Sequence, residues 1–395
     1  MSLSTTSPRG FSRRLSFFYA ALFVVYGIQL AYFPVWLDWR GLSAAEIGMV
    51  SAAPLFLRLA IGPTAAFLAD RSGDRRKAVI IAASCGCAAV LALSQSHLLL
   101  AVALFTAIFV VGCQTTGPMA EAIALSGVRE LGVDYGRMRL WGSLSFIAAT
   151  FTGGVLVERF AAPSVIWMLA ASTSMLVLTS WMLPSQQPAG AGSAAAGAGS
   201  RLTLADVTKV AGSRRFLLFV FAAGVVQASH ALFYSFGVLH WQTQGISTTT
   251  IGVLWSVGVI AEVILFAVAG RYLKRIGPAG FIIAGAAAAV VRWGAMALDP
   301  AIGPLFALQV LHGLTFGATH LGAMHYIHQT VPQEQAGTAQ ALFSAATGGA
   351  AMGAATLLAG LLYGPFGGLG YLAMMAMGGA GLIAAVALRM QPSGS

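Results

Sequence analysis

Five ionisable side chains stand inside or at the edge of long apolar runs: Arg58, Glu121, Arg139, Glu262 and Arg292. A charge at bilayer depth costs at least about 2.5–3.5 kcal/mol on insertion scales, so each is a functional candidate. Glu262, in SVGVIAEVILF, has apolar residues on both sides and no basic neighbour in its own run. Burial disfavours the charged carboxylate, which suits a group that takes and releases a proton. The competing reading is a structural carboxylate held by an arginine. Arg292, in AVVRWGAM, is the partner expected from another run. Paired, it keeps Glu262 ionised; separation or protonation releases the pair and couples a proton to a change of shape.

The run LQVLHGLTFGATHLGAMHYIH carries the next candidates. At 100° per residue, Gln309, His312, Thr315, Thr319 and His320 fall within about 140° of arc, a polar stripe of the kind that lines a cavity. His312 and His320 therefore join Glu262 and Arg292 as proton-coupling candidates, while His325 and His328 point away and suit an interfacial position. Arg137 and Arg139 are two apart and cannot share a helix face. Arg139, further into its run, is expected to point inward towards Glu121. Trp141 either stacks on a substrate ring or anchors the interface.

Composition defines the elements that must hold these groups. Hydrophobic residues make up 58% of the chain and charged residues 9%, against roughly 25% charged in a soluble domain. Runs of about 20 apolar residues, the length of a spanning helix, recur along nearly the whole chain. The reading is an all-α membrane protein of twelve transmembrane helices, at about 16–37, 47–68, 77–95, 98–120, 139–157, 164–183, 215–239, 249–269, 279–297, 303–327, 337–361 and 368–388. Residues 184–213, including PSQQPAGAGSAAAGAGSRLTLADVTK, form a Gly/Ala/Ser-rich flexible linker between six-helix halves at 1–183 and 214–395.

Orientation follows from Lys and Arg. With the N-terminus inside, only Arg40 and Arg159 fall in outer segments, Arg58 and Arg292 lie within spans, and the rest border the cytoplasm. Both termini are thus expected in the cytoplasm. The Arg-rich, Ala- and Gly-rich composition points to a GC-rich bacterium, hence an inner membrane. The +10 net charge sits in these short loops, so nucleic acid is not an expected partner. Three cysteines lie in apolar runs and imply no disulfide framework. Neither a His-Glu-x-x-His, nor a P-loop, nor a carboxylate cluster is present to suggest an enzyme. A receptor or scaffold would not require buried Glu and Arg in separate spans. The expected partners are a small-molecule substrate, protons and the lipid bilayer, with no cofactor or metal, on a monomer.

The halves echo each other. LADRSG (68–73) follows the second span and YLKRIG (272–277) the eighth, and the same offset of 204 carries Arg58 onto Glu262. The first of these loops belongs to FLADRSGDRRK, which packs Asp70, Arg71, Asp74, Arg75, Arg76 and Lys77 into eight positions. An acid at the cytoplasmic end of a helix can pair with a nearby Arg or helix N-terminus. Asp70 and Arg71, with Gly73 for the turn, therefore read as a conformational latch, and Arg75, Arg76 and Lys77 as positive-inside charge.

Six plus six spans and this loop resemble the major facilitator superfamily, whose loop signature Gly-x-x-x-Asp-Arg-x-Gly-Arg-Arg is approximated by FLADRSGDRRK. AEAIAL and YGRMRLWGS are similar to stretches that supply a substrate-binding Glu and Arg in the oligosaccharide–proton symporter branch, which implies such roles for Glu121 and Arg139. VRWG and LHGLTFGATHLGAMHYI resemble the regions supplying its coupling Arg and His, here Arg292 and His312, and Glu262 matches its eighth-span Glu. That branch carries a Glu three residues after the His, where this chain has Thr315, which cannot titrate. The chain resembles the 3-phenylpropionate permease family more closely, which implies a proton-coupled importer of an aromatic monocarboxylate bound midway between the halves. Arg58, Arg139 and Arg292 offer cations for a carboxylate, and Phe233, Tyr234, Trp255 and Phe316 apolar walls for a ring. A sugar or nucleoside symporter, an uncoupled facilitator and an exporter are the alternatives. GSLSFIAATFTGG lacks the Gly-Pro-Gly-Gly pattern usual in the superfamily's exporters.

Overall fold

The computed structural model describes residues 7–72, 74–184, 212–333 and 335–391, without the side chains at 63, 65–70 and 72. The linker at 185–211, Gly73 and the side chain of Asp70 therefore lie outside the described residues. Regular structure among the described residues is helical throughout. The first half of the chain gives α1 (Pro8–Trp39), α2 (Ala44–Ser72), α3 (Arg75–Gln95), α4 (Leu99–Leu131), α5 (Tyr135–Phe160) and α6 (Ser164–Met182). The second half starts with α7 (Arg214–Ala228), α8 (Ala231–Thr243), α9 (Thr248–Met296) and α10 (Ile302–Val310). A π-helical turn at Gly313–Ala318 leads into α11 (Thr319–Thr330) and α12 (Ala336–Ser344). A second π-turn, Ala345–Ala351, precedes α13 (Met352–Phe366), and a 3₁₀ turn, Gly367–Gly370, precedes α14 (Tyr371–Met390).

Ten of the described helical stretches are long and apolar enough to cross a membrane. Two of them, Thr248–Met296 with 49 residues and Ala336–Met390 with 55, are far longer than one crossing needs. At about 1.5 Å per residue each exceeds twice the ~30 Å hydrocarbon core. Each is also broken: α9 at Gly277 (φ 70°, ψ 172°) before Pro278, the other at Gly367 (φ 52°). Both breaks fall between spans that the hydropathy pattern separates.

The helices resolve into two compact units. One comprises Met1–Leu42, Phe56–Ala198 and Ser247–Val253; the other Ser43–Leu55, Gly199–Ile246 and Leu254–Ser395. Within the first, α1 lies along α5, with Gly27 against Phe146 and Ala149. The Tyr32 hydroxyl donates to the Thr150 carbonyl at 2.5 Å. Within the second, Phe216, Phe219, Ile282, Tyr326 and Phe343 join α7, α9, α11 and α12 in one core. Phe219 stacks there on Tyr326 at 4.3 Å and on Phe343 at 5.3 Å.

A repeat overlooked in the sequence becomes plain at two helix ends. Gly41 (φ 82°) closes α1 and Gly245 (φ 77°) closes α8. In each, the glycine N–H returns three residues (Asp38, Gln242) and the next N–H five residues (Leu37, Trp241), a Schellman cap in which only glycine is unstrained. GLSAAEIG and GISTTTIG are separated by the same offset of 204 that relates LADRSG to YLKRIG. Each corner then starts a helix. Ser43 and Glu46 form a reciprocal capping box at α2. Ser247 caps Thr250 at α9, where the Glu158 carboxylate also accepts the Thr249 N–H at 2.8 Å.

Both new helices approach a neighbour through glycine. A Cβ on Gly48 would lie 2.8 Å from Gly360 Cα and 3.1 Å from the Thr356 carbonyl oxygen. One on Gly252 would lie 2.6 Å from the Thr150 carbonyl oxygen. Thr150-x-x-x-Gly154 on α5 and Thr356-x-x-x-Gly360 on α13 thus serve as matching seats, one in each unit.

Candidate functional site

The densest polar cluster lies within the second unit, around Arg292. This guanidinium is fully buried, on the second arm of α9, between the rings of Phe233 at 5.0 Å and Trp293 at 4.6 Å. Aromatic faces stabilise a desolvated cation by about 2 kcal/mol, which offsets part of its burial. Trp293 is itself fixed, donating from Nε1 to Ser229 Oγ at 2.9 Å and stacking on Tyr371 at 5.7 Å. Arg292 Nη1 donates to His312 Nδ1 and to Thr315 Oγ1, both at 3.1 Å, and Nη2 donates to Gln309 Oε1 at 2.9 Å. None of these acceptors is a carboxylate. The Nε–H of Arg292 and the amide nitrogen of Gln309 are buried without a hydrogen-bond partner among the described residues.

The π-turn after His312 shapes this arrangement. Such a turn inserts one residue into the helical repeat and so rotates every later side chain about the helix axis. The expected stripe therefore splits. Gln309, His312 and Thr315 converge on Arg292, whereas Thr319 is buried against Gly285 and His320 is exposed, stacked on Phe316 at 6.0 Å. His320, named with the coupling residues, thus reaches His312 only through the Phe316 ring. His312 also intervenes in the expected Glu262–Arg292 pair. The geometry inserts His312 between them, with Nδ1 on Arg292 and Nε2 at 3.8 Å from Glu262 Oε2.

Phe233, Tyr234 and Trp255, the rings named for an apolar wall, lie together beside Arg292. Phe233 stacks on Trp255 at 4.7 Å, with Tyr234 at 6.1 Å from the same Trp255 ring. His230 is the residue that sequence reasoning missed. It sits fully buried at the break between α7 and α8, with Nδ1 at 3.0 Å from the Gln227 carbonyl and Nε2 at 3.0 Å from Thr315 Oγ1. A signal existed: Gln227, His230 and Tyr234 recur at i, i+3 and i+7, one face of an otherwise apolar run.

The first unit holds two smaller groups. Arg58 donates from Nη1 to Gln114 Oε1 at 2.9 Å. Arg139 does turn inward, its guanidinium 4.0 Å from the Phe23 ring and 5.9 Å from Tyr19. Between it and Glu121 stands Tyr135, which donates to Glu121 Oε1 at 2.5 Å and also interacts with Arg139. The expected Glu121–Arg139 pairing is thus mediated by a phenol. Trp141 is 54% exposed, on the same face of α5 as Leu144, Phe151 and Val155. Arg71 is exposed in the last turn of α2.

Long apolar helices that carry a buried Arg292 and the half-buried Arg58, Arg139 and Glu262 define a membrane-embedded secondary transporter. The chain belongs to the MFS_1 like family, whose model matches residues 12–371. It is 31% identical to a probable 3-phenylpropionic acid transporter of Escherichia coli, over 89% of this chain and 91% of that protein. It is 28% identical to a maltose permease of Geobacillus stearothermophilus, over 87% of this chain and 86% of that one. In fold it resembles the crystal structure of the nucleoside transporter NupG, with a TM-score of 0.81 at 18% identity, covering 96% of this chain and 98% of that one.

Proposed function

We propose that the protein is a proton-coupled importer of an aromatic monocarboxylate such as 3-phenylpropionate, working by alternating access. The observation that carries this reading is the pair of unpartnered buried donors, Arg292 Nε and the Gln309 amide, next to the Phe233–Trp255 stack. A carboxylate accepts two N–H bonds from a guanidinium edge and nitrogen neighbour, and a phenyl ring fills an aromatic wall. The E. coli relative's name, a probable 3-phenylpropionic acid transporter, supports the same chemistry. Glu262 takes the proton, His312 links it to Arg292, and Tyr234 completes the wall. Arg58, and Arg139 with Glu121, contribute further polar contacts along the substrate's route, and Asp70, Arg71 and Gly73 act as a latch at the cytoplasmic loop.

The same reading includes twelve crossings, since the breaks at Gly277 and Gly367 each divide one long stretch in two. The repeated glycine corners support two related halves, 1–183 and 214–395, joined by the linker 184–213. Both termini face the cytoplasm of a bacterium, the protein lies in its inner membrane, and it acts as a monomer with no cofactor. A sugar substrate is the second reading, favoured by the maltose permease relative.

Uptake of labelled 3-phenylpropionate into proteoliposomes, with and without an inward proton gradient, tests the proposal. Gradient-driven accumulation that excess maltose leaves untouched is expected. Equilibration without accumulation would refute coupling, and competition by maltose would move the substrate to the sugars.

A further inference from the structure

We propose that His230 is a positioning residue: through the Thr315 hydroxyl it fixes the donor pattern of Arg292 and so reserves the site's proton for Glu262. This rests on the proton-coupled reading above. Hydrogen-bond valence assigns every proton in the network. The Gln227 carbonyl can only accept, so His230 carries its proton on Nδ1 and presents the Nε2 lone pair to Thr315. Thr315 has one hydroxyl proton. Its acceptors are His230 Nε2 at 3.0 Å and the His312 carbonyl at 3.4 Å. Donation to His230 is the shorter and leaves that imidazole neutral beside the Arg292 cation.

The Thr315 oxygen is then fixed with its lone pair towards Arg292 Nη1, which donates to it and to His312 Nδ1. A guanidinium never accepts, so His312 Nδ1 must be bare, and a neutral His312 holds its proton on Nε2, facing Glu262 Oε2. An added proton on His312 Nδ1 would meet an N–H head-on. Both imidazoles are thus held in one tautomer each, and the carboxylate of Glu262 is the basic group left to take a proton. The groups facing His230 are Arg292 from α9, His312 and Thr315 from the α10 side, and Tyr234 from its own helix. Tyr371 of α14 backs Trp293.

Without His230, the Thr315 hydroxyl is free to swing to the His312 carbonyl and Arg292 loses a fixed acceptor. The guanidinium is then free to turn Nη1 off His312 Nδ1, which exposes that lone pair as a second proton site. The test is the pH profile of gradient-driven 3-phenylpropionate uptake by the full chain in proteoliposomes, with substrate exchange as the control for a folded protein. Wild type is expected to titrate in one step. His230→Leu and the isosteric Thr315→Val are expected to add a second step, which His312→Asn placed on His230→Leu removes. His230→Gln, which retains a donor and an acceptor, is expected to keep the single step. A purely structural His230 would lower exchange in both His230 variants and leave the profile's shape alone. One-step titration in exchange-competent Thr315→Val overturns the assignment even where His230→Leu fails to fold. A wild type indifferent to the proton gradient instead sinks the coupling reading, and this assignment with it.

Discussion

Replacing Arg292 by Met is the sharpest test of where a carboxylate binds. Met has a similar length and no charge. The substitution removes three hydrogen bonds from a charged donor, to His312, Thr315 and Gln309, each contributing about 1.5–3 kcal/mol. It also relieves the desolvation of a buried cation, several kcal/mol on its own. The acceptors left behind, His312 Nδ1, Thr315 Oγ1 and Gln309 Oε1, then face an apolar side chain, which costs stability. These effects oppose one another, so the net change in stability is expected to stay within about 2 kcal/mol. Substrate binding has no such compensation. The variant takes from the carboxylate the Arg292 Nε donor, a charge-assisted bond of about 1.5–3 kcal/mol, or about ten- to a hundredfold in Kd. The assay is isothermal titration of purified protein with 3-phenylpropionate, alongside its thermal unfolding. Arg292→Lys keeps the charge but not the planar fork, and is expected to fall between the two. A folded Arg292→Met protein that binds within about threefold of wild type would refute the reasoning, since less than about 0.7 kcal/mol would then come from this cation.

Further outcomes are expected elsewhere. Glu262→Gln is expected to abolish gradient-driven accumulation while exchange of labelled for unlabelled substrate continues; normal accumulation would place the proton on another group. Gly252→Leu drives a side chain into the Thr150 carbonyl and the Tyr32 hydroxyl and is expected to cost about 1–3 kcal/mol, read as a lowered unfolding temperature. Gly48→Leu, at the matching seat on α13, is expected to behave alike, and a difference between the two would break the equivalence of the corners. Trp141→Ala removes an exposed ring and is expected to leave uptake kinetics unchanged; a raised KM would return it to the substrate path.

The cost of charge in an apolar helix singles out Glu262, Arg292 and Arg139 in the sequence, and of these Arg292 is fully buried. The aromatic wall was legible too, though only as compatible residues; abundant phenylalanine in a membrane helix says little about which rings meet. A 100° rotation per residue does not carry the polar stripe past Gly313–Ala318, where the helix is π-wound. Such a turn depends on packing, here Gly313 against the Ala261 carbonyl, and leaves no local signature. His230 is not singled out by the sequence, because its partners Thr315 and Trp293 are distant in it. The corners GLSAAEIG and GISTTTIG share no charge pattern; the feature repeated there is a glycine's left-handed backbone.

The distribution of the chain over its two units bears on how the protein can be assembled. Unit one takes Ser247–Val253 from beyond the linker, and unit two takes Ser43–Leu55 from before it. Severing the chain anywhere in 185–211 yields two fragments, and neither holds a whole unit. The first lacks the turn that Glu158 caps and Gly154 seats; the second lacks the turn seated on Gly360. Such fragments should fold by complementation, each supplying the other's missing piece. They would be recovered together or hardly at all.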